Sequence, residues 1–250
     1  MSSSPLLECF QRGEVPRDVR MLAAAGALAP RADEQLALLV HLVSDSDSEV
    51  AATAAATIDA LPAPAVAALI ARPEVDDRVR GFFVARGIAP SAAPQADPAT
   101  PLVDNAGEPE EGNDRVPLQS LPVPARLKLA MKGTREQRAV LIRDPNRVIA
   151  AAVLSSPKLT ETEVEAFARM SNVSEEVLRI IAANRAWMRK QAVAAALVRN
   201  PKCPPNISVG LLPRMPQRDI KHLATDRNVP EALRLAARKV LQTQLARQSS

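Results

Sequence analysis

A phrase written twice between Arg143 and Lys202 restricts the fold more than any other feature of the chain. The first copy is Asp144-Pro145-Asn146-Arg147-Val148-Ile149-Ala150-Ala151-Ala152-Val153-Leu154-Ser155-Ser156-Pro157-Lys158. The second is Arg189-Lys190-Gln191-Ala192-Val193-Ala194-Ala195-Ala196-Leu197-Val198-Arg199-Asn200-Pro201-Lys202. Each reads as a short alanine-rich apolar helix that stops at Pro-Lys, and the two prolines stand 44 residues apart. Recurrence at that period marks helical repeats that stack on one another.

The residues between apolar runs support helices throughout. Asp47 reads as the N-cap of a helix that carries Glu49, Val50 and an alanine ladder up to Ile58, after a preceding helix from Asp33 to Val43. Thr134 to Gln137 and Thr160 to Glu163 fit capping boxes, Ser174 opens a helix, and Asp144-Pro145 reads as an N-cap followed by proline at the first helical position. Asn184 is expected to begin one long helix from Ala186 to Arg199. Shorter helices are expected over 205–212 and 217–225, with 230–246 closing the array. The phrase Asn172-Val173-Ser174-Glu175-Glu176-Val177-Leu178-Arg179 returns, one residue shorter, as Asn228-Val229-Pro230-Glu231-Ala232-Leu233-Arg234.

Composition agrees with this pattern. The apolar 47% of the chain is mostly Ala, Leu and Val, with four Phe, one Trp and no Tyr, and only eight Gly are present. That is too little glycine for a turn-rich sheet protein or a phosphate-cradling loop, while the 22 prolines fall mostly between apolar runs. The fold class expected is all-α: stacked helical repeats, an α-solenoid, in two blocks. Residues 1–89 form an acidic helical-repeat block and 125–247 a basic one. Between them, 90–124 holds eight prolines and the acidic cluster Asp104, Glu108, Glu110, Glu111 and Asp114. Too few large apolar residues occur there to offset the entropy of ordering, so this stretch is expected to be a disordered linker.

Residues 125–241 resemble a family of uncharacterised bacterial proteins of deltaproteobacterial and acidobacterial type. The phrases that carry the likeness are Leu141-Ile142-Arg143-Asp144-Pro145-Asn146, Asn172-Val173-Ser174-Glu175-Glu176-Val177, Asn200-Pro201-Lys202 and Asn228-Val229-Pro230. More widely, about two-thirds of the chain is similar to HEAT-like and leucine-rich-variant α-solenoids. The resemblance implies a helical-repeat fold and no catalytic residue.

Charge divides the chain sharply. Residues 1–114 hold 18 acids against 8 arginines and no lysine, a net −10, whereas 115–250 hold 24 Lys and Arg against 10 acids, a net +14. A basic module beside an acidic segment points to recognition of an anionic partner. Arg185 and Arg189, Arg214 and Arg218, and Arg234 and Arg238 are spaced by four, so each pair is expected on one side of its helix. With Lys190, Arg199, Lys202, Lys221 and Lys239 they form a set that lines one edge of a solenoid or is scattered around its surface. Trp187, the one indole, either packs between repeats or serves as an aromatic anchor flanked by arginines.

Catalytic constellations are lacking in the sequence. His41 sits in an apolar helix, His222 on a basic stretch, and the pairs Glu161/Glu163 and Glu175/Glu176 stand at helix starts, where the helix dipole accounts for them. Cys9 and Cys203 have no metal-ligand spacing and fit thiols in a reducing compartment. No secretory leader or membrane span is read, and the expected location is cytoplasmic. No cofactor, metal site or catalytic residue is assigned. The expected work is non-catalytic: a protein-interaction scaffold whose partner carries an acidic segment. Phosphate-backbone binding of nucleic acid is the alternative, and a HEAT-like nucleobase glycosylase is the remote enzymatic reading. Scarce aromatics count against base stacking.

Overall fold

Alanine, leucine and valine between well-formed caps give helices throughout the described residues. The computed structural model describes residues 5–28, 31–91, 100–105 and 117–248, and among these it has sixteen α-helices and no strand. The protein is all-α. The chain divides into two compact units, one ending at Leu159 and the other beginning at Thr160. The first holds α1 (Pro5–Gln11), α2 (Arg17–Ala24), α3 (Ala32–Leu42), α4 (Ser48–Asp59), α5 (Ala63–Ile70), α6 (Asp77–Ala85), α7 (Val123–Lys132), α8 (Arg135–Leu141) and α9 (Arg147–Ser155). The second holds α10 (Glu161–Arg169), α11 (Glu175–Ala183), α12 (Arg185–Met188), α13 (Gln191–Arg199), α14 (Pro205–Leu211), α15 (Gln217–Leu223) and α16 (Glu231–Gln248).

This boundary differs from the expected one, which put the division across 90–124. The reason is α9. Val148 through Ser155 are all buried, so this helix is apolar around its full circumference and needs cover on every side. Within the first unit α7 and α8 cover part of it and α1, from the far N-terminal end, covers another part, while α2 packs against α7. Helices from both sides of 90–124 thus share one core. Part of the expected linker is also held in place: Leu102 to Asn105 is hydrogen-bonded to α3 and to the end of α2. Residues 92–99 and 106–116, with Glu108, Glu110, Glu111 and Asp114, lie outside the described residues.

The caps follow the sequence with one exception. The Asp47 carboxylate accepts from Glu49 N and Val50 N, Thr134 and Thr160 close full capping boxes with Gln137 and Glu163, and Ser174 accepts from Val177 N. A hydrogen bond from Arg17 holds the partly buried Asp47 carboxyl below the ordinary carboxylate range. The exception is Asp144. The cap of α9 is Asn146, which accepts from Val148 N at 2.9 Å. Asp144 turns inward instead: Oδ1 accepts from Asn146 N at 2.8 Å and Oδ2 pairs with Arg126. Asp45 is placed in the same way, accepting from Asp47 N at 2.9 Å and lying 3.4 Å from an Arg20 nitrogen.

The doubled phrase has a structural meaning. Ser156 and Asn200, at equivalent places in the two copies, are both buried at the ends of their helices. Ser156 Oγ donates to Met131 O at the end of α7 (2.7 Å), and Asn200 Nδ2 donates to Ala168 O (2.8 Å) and Met170 O (3.0 Å) at the end of α10. The lysine that follows each proline does related work: Lys158 Nζ reaches Lys132 O at 2.8 Å and Lys202 Nζ reaches Val173 O at 3.3 Å. Carbonyls at a helix C-terminus have no partner within their own helix, and here the next copy of the phrase satisfies them. One clamp therefore occurs once in each unit.

The central helix of the second unit is α13, with Val193, Ala194, Ala196, Leu197 and Val198 buried against α10, α11, α12 and α14. Among the described residues no single helix is long and apolar enough to cross a membrane; α4 and α5 together pass on length and composition but meet at 95°. Both cysteines are buried, one in each unit. Burial, then the nearby charge of Glu175, pushes the Cys203 thiol up to about 11. A thiol that titrates higher in the folded chain adds stability that is complete below about pH 9 and is lost as pH rises towards about 11. At mildly alkaline pH, iodoacetamide is accordingly expected to label Cys203 far more slowly in the native chain than in urea. Equal rates, read by peptide mass mapping, would contradict the burial.

Candidate recognition surface of residues 160–250

The second unit carries 15 Lys and Arg against 8 acids, a net +7. Its cationic surface is organised by a break that the sequence does not announce. The long helix expected from Ala186 to Arg199 is interrupted at Lys190, which is extended (φ −84°, ψ 118°) between α12 and α13. No glycine or proline stands there. The cause is tertiary: the Arg214 guanidinium donates to Met188 O, a carbonyl that a continuous helix would use itself, and Gln191 Nε2 donates back to Arg214 O at 3.0 Å. Asn184 caps the resulting single turn through Ala186 N (2.9 Å) and Trp187 N (3.2 Å).

This arrangement sets Arg185 and Arg189 one helical turn apart with Trp187 between them, and it seats Arg214 against the end of the same turn. Both arginines of the turn are exposed, and Trp187 is half-buried. Neither the Arg185 nor the Arg189 guanidinium has a hydrogen bond or ion pair among the described residues. The same holds for Arg218 and Lys221, three apart on α15 and both exposed. Arg214 and Arg218 do not share a helix as expected: Arg214 closes a 3-10 turn over Leu212–Arg214, and Pro216 starts α15 after it.

Four more cations of the expected set are engaged within the unit. Lys190 pairs with Glu161 at 2.8 Å in an exposed pair of the kind that contributes little to stability, and exposed Arg199 pairs with half-buried Asp219 at 3.0 Å. Lys202 serves the clamp at Val173. Arg238 Nε donates to Ala224 O at 3.1 Å. Among the described residues, the cations of the expected set without a side-chain partner are Arg185, Arg189, Arg218, Lys221, Arg234 and Lys239, with Trp187 beside the first two.

Elsewhere, His41 is half-buried in the last turn of α3, and His222 is exposed with Nδ1 4.0 Å from Asp226. Among the described residues no group of three or more His, Cys, Asp or Glu is placed to hold a metal ion. The residue that sequence reasoning missed is Gln35, a buried amide on the apolar stripe of α3, three and four residues before Leu38 and Leu39. A lone polar residue at a core position of a helix was the available signal, because a buried amide requires partners. No protein-family model, curated protein or solved structure matches the chain.

Proposed function

We propose that this chain is a non-catalytic protein-interaction scaffold of stacked HEAT-like helical repeats, whose 160–250 unit binds an acidic segment of a partner protein. The observation that carries the reading is the exposed cationic turn: Arg185 and Arg189 on either side of half-buried Trp187, with no acid paired to either arginine among the described residues. Arginine beside an aromatic is the composition that concentrates binding energy in protein interfaces. Support for stacking comes from the recurring clamp at Ser156/Lys158 and Asn200/Lys202, which ties each phrase to the end of an earlier helix. Stacked repeats present long surfaces and need no cofactor to recognise a partner.

The test is fluorescence anisotropy of the full chain against three probes across a salt series: an acidic peptide copying 106–114, a short duplex DNA and a single-stranded RNA. The peptide is expected to bind, and Arg185→Glu with Arg189→Glu is expected to weaken it about tenfold or more, a loss of about 1.4 kcal/mol. Nucleic-acid binding at micromolar level, with log affinity falling steeply against log salt, would replace this reading with phosphate-backbone recognition. Absence of binding to all three at low salt would leave the arginines as ordinary solvated charge.

A further inference from the structure

Gln35 is 2% exposed on a helix face made otherwise of aliphatic side chains. Its partners come from a segment 67 and 68 residues away in the chain. Oε1 accepts from Leu102 N at 2.8 Å and from Val103 N at 3.0 Å, and Nε2 donates to Val103 O at 2.6 Å. Next along the segment, Asn105 N donates to Gly26 O at 3.1 Å, and Asn105 Nδ2 donates to Ala25 O at 2.7 Å. These are carbonyls that the end of α2 leaves open, and Thr57 Oγ1 satisfies a third, Ala24 O, at 2.7 Å. Asp104 pairs with Lys132 of α7 at 2.6 Å.

Four main-chain groups of 102–105 are held in this way, and the side chains of Asp104 and Asn105 add contacts that an unrelated extended segment would lack. The groove is also shaped for it. Gly26 lies at φ +71°, and a Cβ there would stand 2.8 Å from Val103 Cγ1, so glycine provides both the left-handed turn and the clearance. The segment itself is not a core element. Leu102 and Val103 are only half-buried, and Asp104 and Asn105 are exposed. Hydrogen bonds of this kind contribute about 0.5–1.5 kcal/mol each, net of water. Attachment to the same chain supplies the rest, since a tethered segment meets its groove at an effective concentration of roughly millimolar.

We infer that the groove formed by Gln35, the α2 terminus, Thr57 and Lys132 is a docking site for an extended aliphatic–aliphatic–acidic–Asn segment of a partner protein, held in the free chain by Leu102–Asn105 as an internal competitor. The site lies wholly within residues 5–159 and does not depend on the cationic surface of 160–250.

The probe is a fluorescein-labelled peptide copying 99–107, with a scrambled peptide as control, titrated by anisotropy. Three full-length chains are compared: wild type, a chain with Pro101 to Asn105 replaced by alternating Gly and Ser, and that chain with Lys132→Glu added. The replaced chain is expected to bind the peptide about tenfold or more tighter than wild type, because the competitor is weakened. Lys132→Glu is expected to remove about tenfold of that gain, and circular dichroism reports whether each chain is folded. Should the replaced chain fail to fold, the wild-type chain is titrated with excess peptide and hydrogen exchange is followed at the Leu102 and Val103 amides. Faster exchange on adding peptide supports displacement; unchanged exchange overturns the inference. It is equally overturned if no form binds the peptide, or if wild type and the replaced chain bind it alike. Self-association of the wild-type chain that the peptide disrupts would assign the groove to a second copy, overturning the partner assignment.

Discussion

Asp144→Ala is expected to destabilise the chain by about 3–5 kcal/mol, the cost of breaking a buried ion pair from one side. The Asp144 side chain is 1% exposed and its partner Arg126 is 13% exposed. One carboxylate oxygen meets the guanidinium and the other accepts from Asn146 N, so the substitution removes a charge partner and loosens the turn that starts α9. Arg126 Nε is already buried without a hydrogen bond among the described residues, so the cation left behind has little else to turn to. Urea unfolding followed by circular dichroism measures the effect. The double variant Arg126→Met with Asp144→Leu is expected to recover most of the loss, because an apolar pair of similar volume removes the desolvation cost along with the attraction. A single-variant loss below about 1 kcal/mol would show instead that water reaches the pair as it reaches a surface bridge.

Asn200→Ala is expected to cost about 2–4 kcal/mol, since it leaves the carbonyls of Ala168 and Met170 and the amide of Lys202 without their shared partner. The equivalent Ser156→Ala removes the bond donated to Met131 O and a longer one accepted from Lys158 N, and is expected to cost about 1–2 kcal/mol. Asn200→Asp separates the role of the donor from that of shape. It keeps the size of the side chain but aims a carboxylate at two carbonyl oxygens, so it should be at least as damaging as alanine. If Asn200→Asp were tolerated, the Nδ2 bonds would not be what holds α13 to the end of α10.

How much of this was legible beforehand varies by feature. Helix positions were readable at Asp47, Thr134, Thr160 and Ser174, because a cap acts on amides two or three residues away and leaves its mark in the local sequence. Asp144 shows the limit of that reading. As a residue it is a good cap, but Arg126 lies 18 positions earlier and draws the carboxylate inward, leaving the cap to Asn146. The same holds for the candidate site. Arg185 and Arg189 were paired by their spacing and Trp187 was marked as the one indole; the arginines are exposed and the indole half-buried, while the exposed Lys202 of the same set also reaches Val173 O, a contact its spacing does not announce. Gln35 was visible as a polar residue in an apolar face, but nothing near it in the sequence names Leu102 and Val103 as its partners.

The sequence by itself determined the all-helical class, most helix starts and stops, and the doubled phrase that ends in Pro-Lys. These depend on propensity, capping and proline, which act over a single turn of chain. Only the tertiary structure decided that α1 and α9 share a core across the 90–124 stretch, that the chain breaks at Lys190, and which cations are left without partners. The helix break at Lys190 depends on Arg214, 26 residues beyond the Met188 carbonyl it takes. The groove at Gln35 depends on a segment 67 residues further on. Hydrogen-bonding groups that must be satisfied on burial take whichever partner packing brings within 3 Å or so, and residue spacing does not encode that choice.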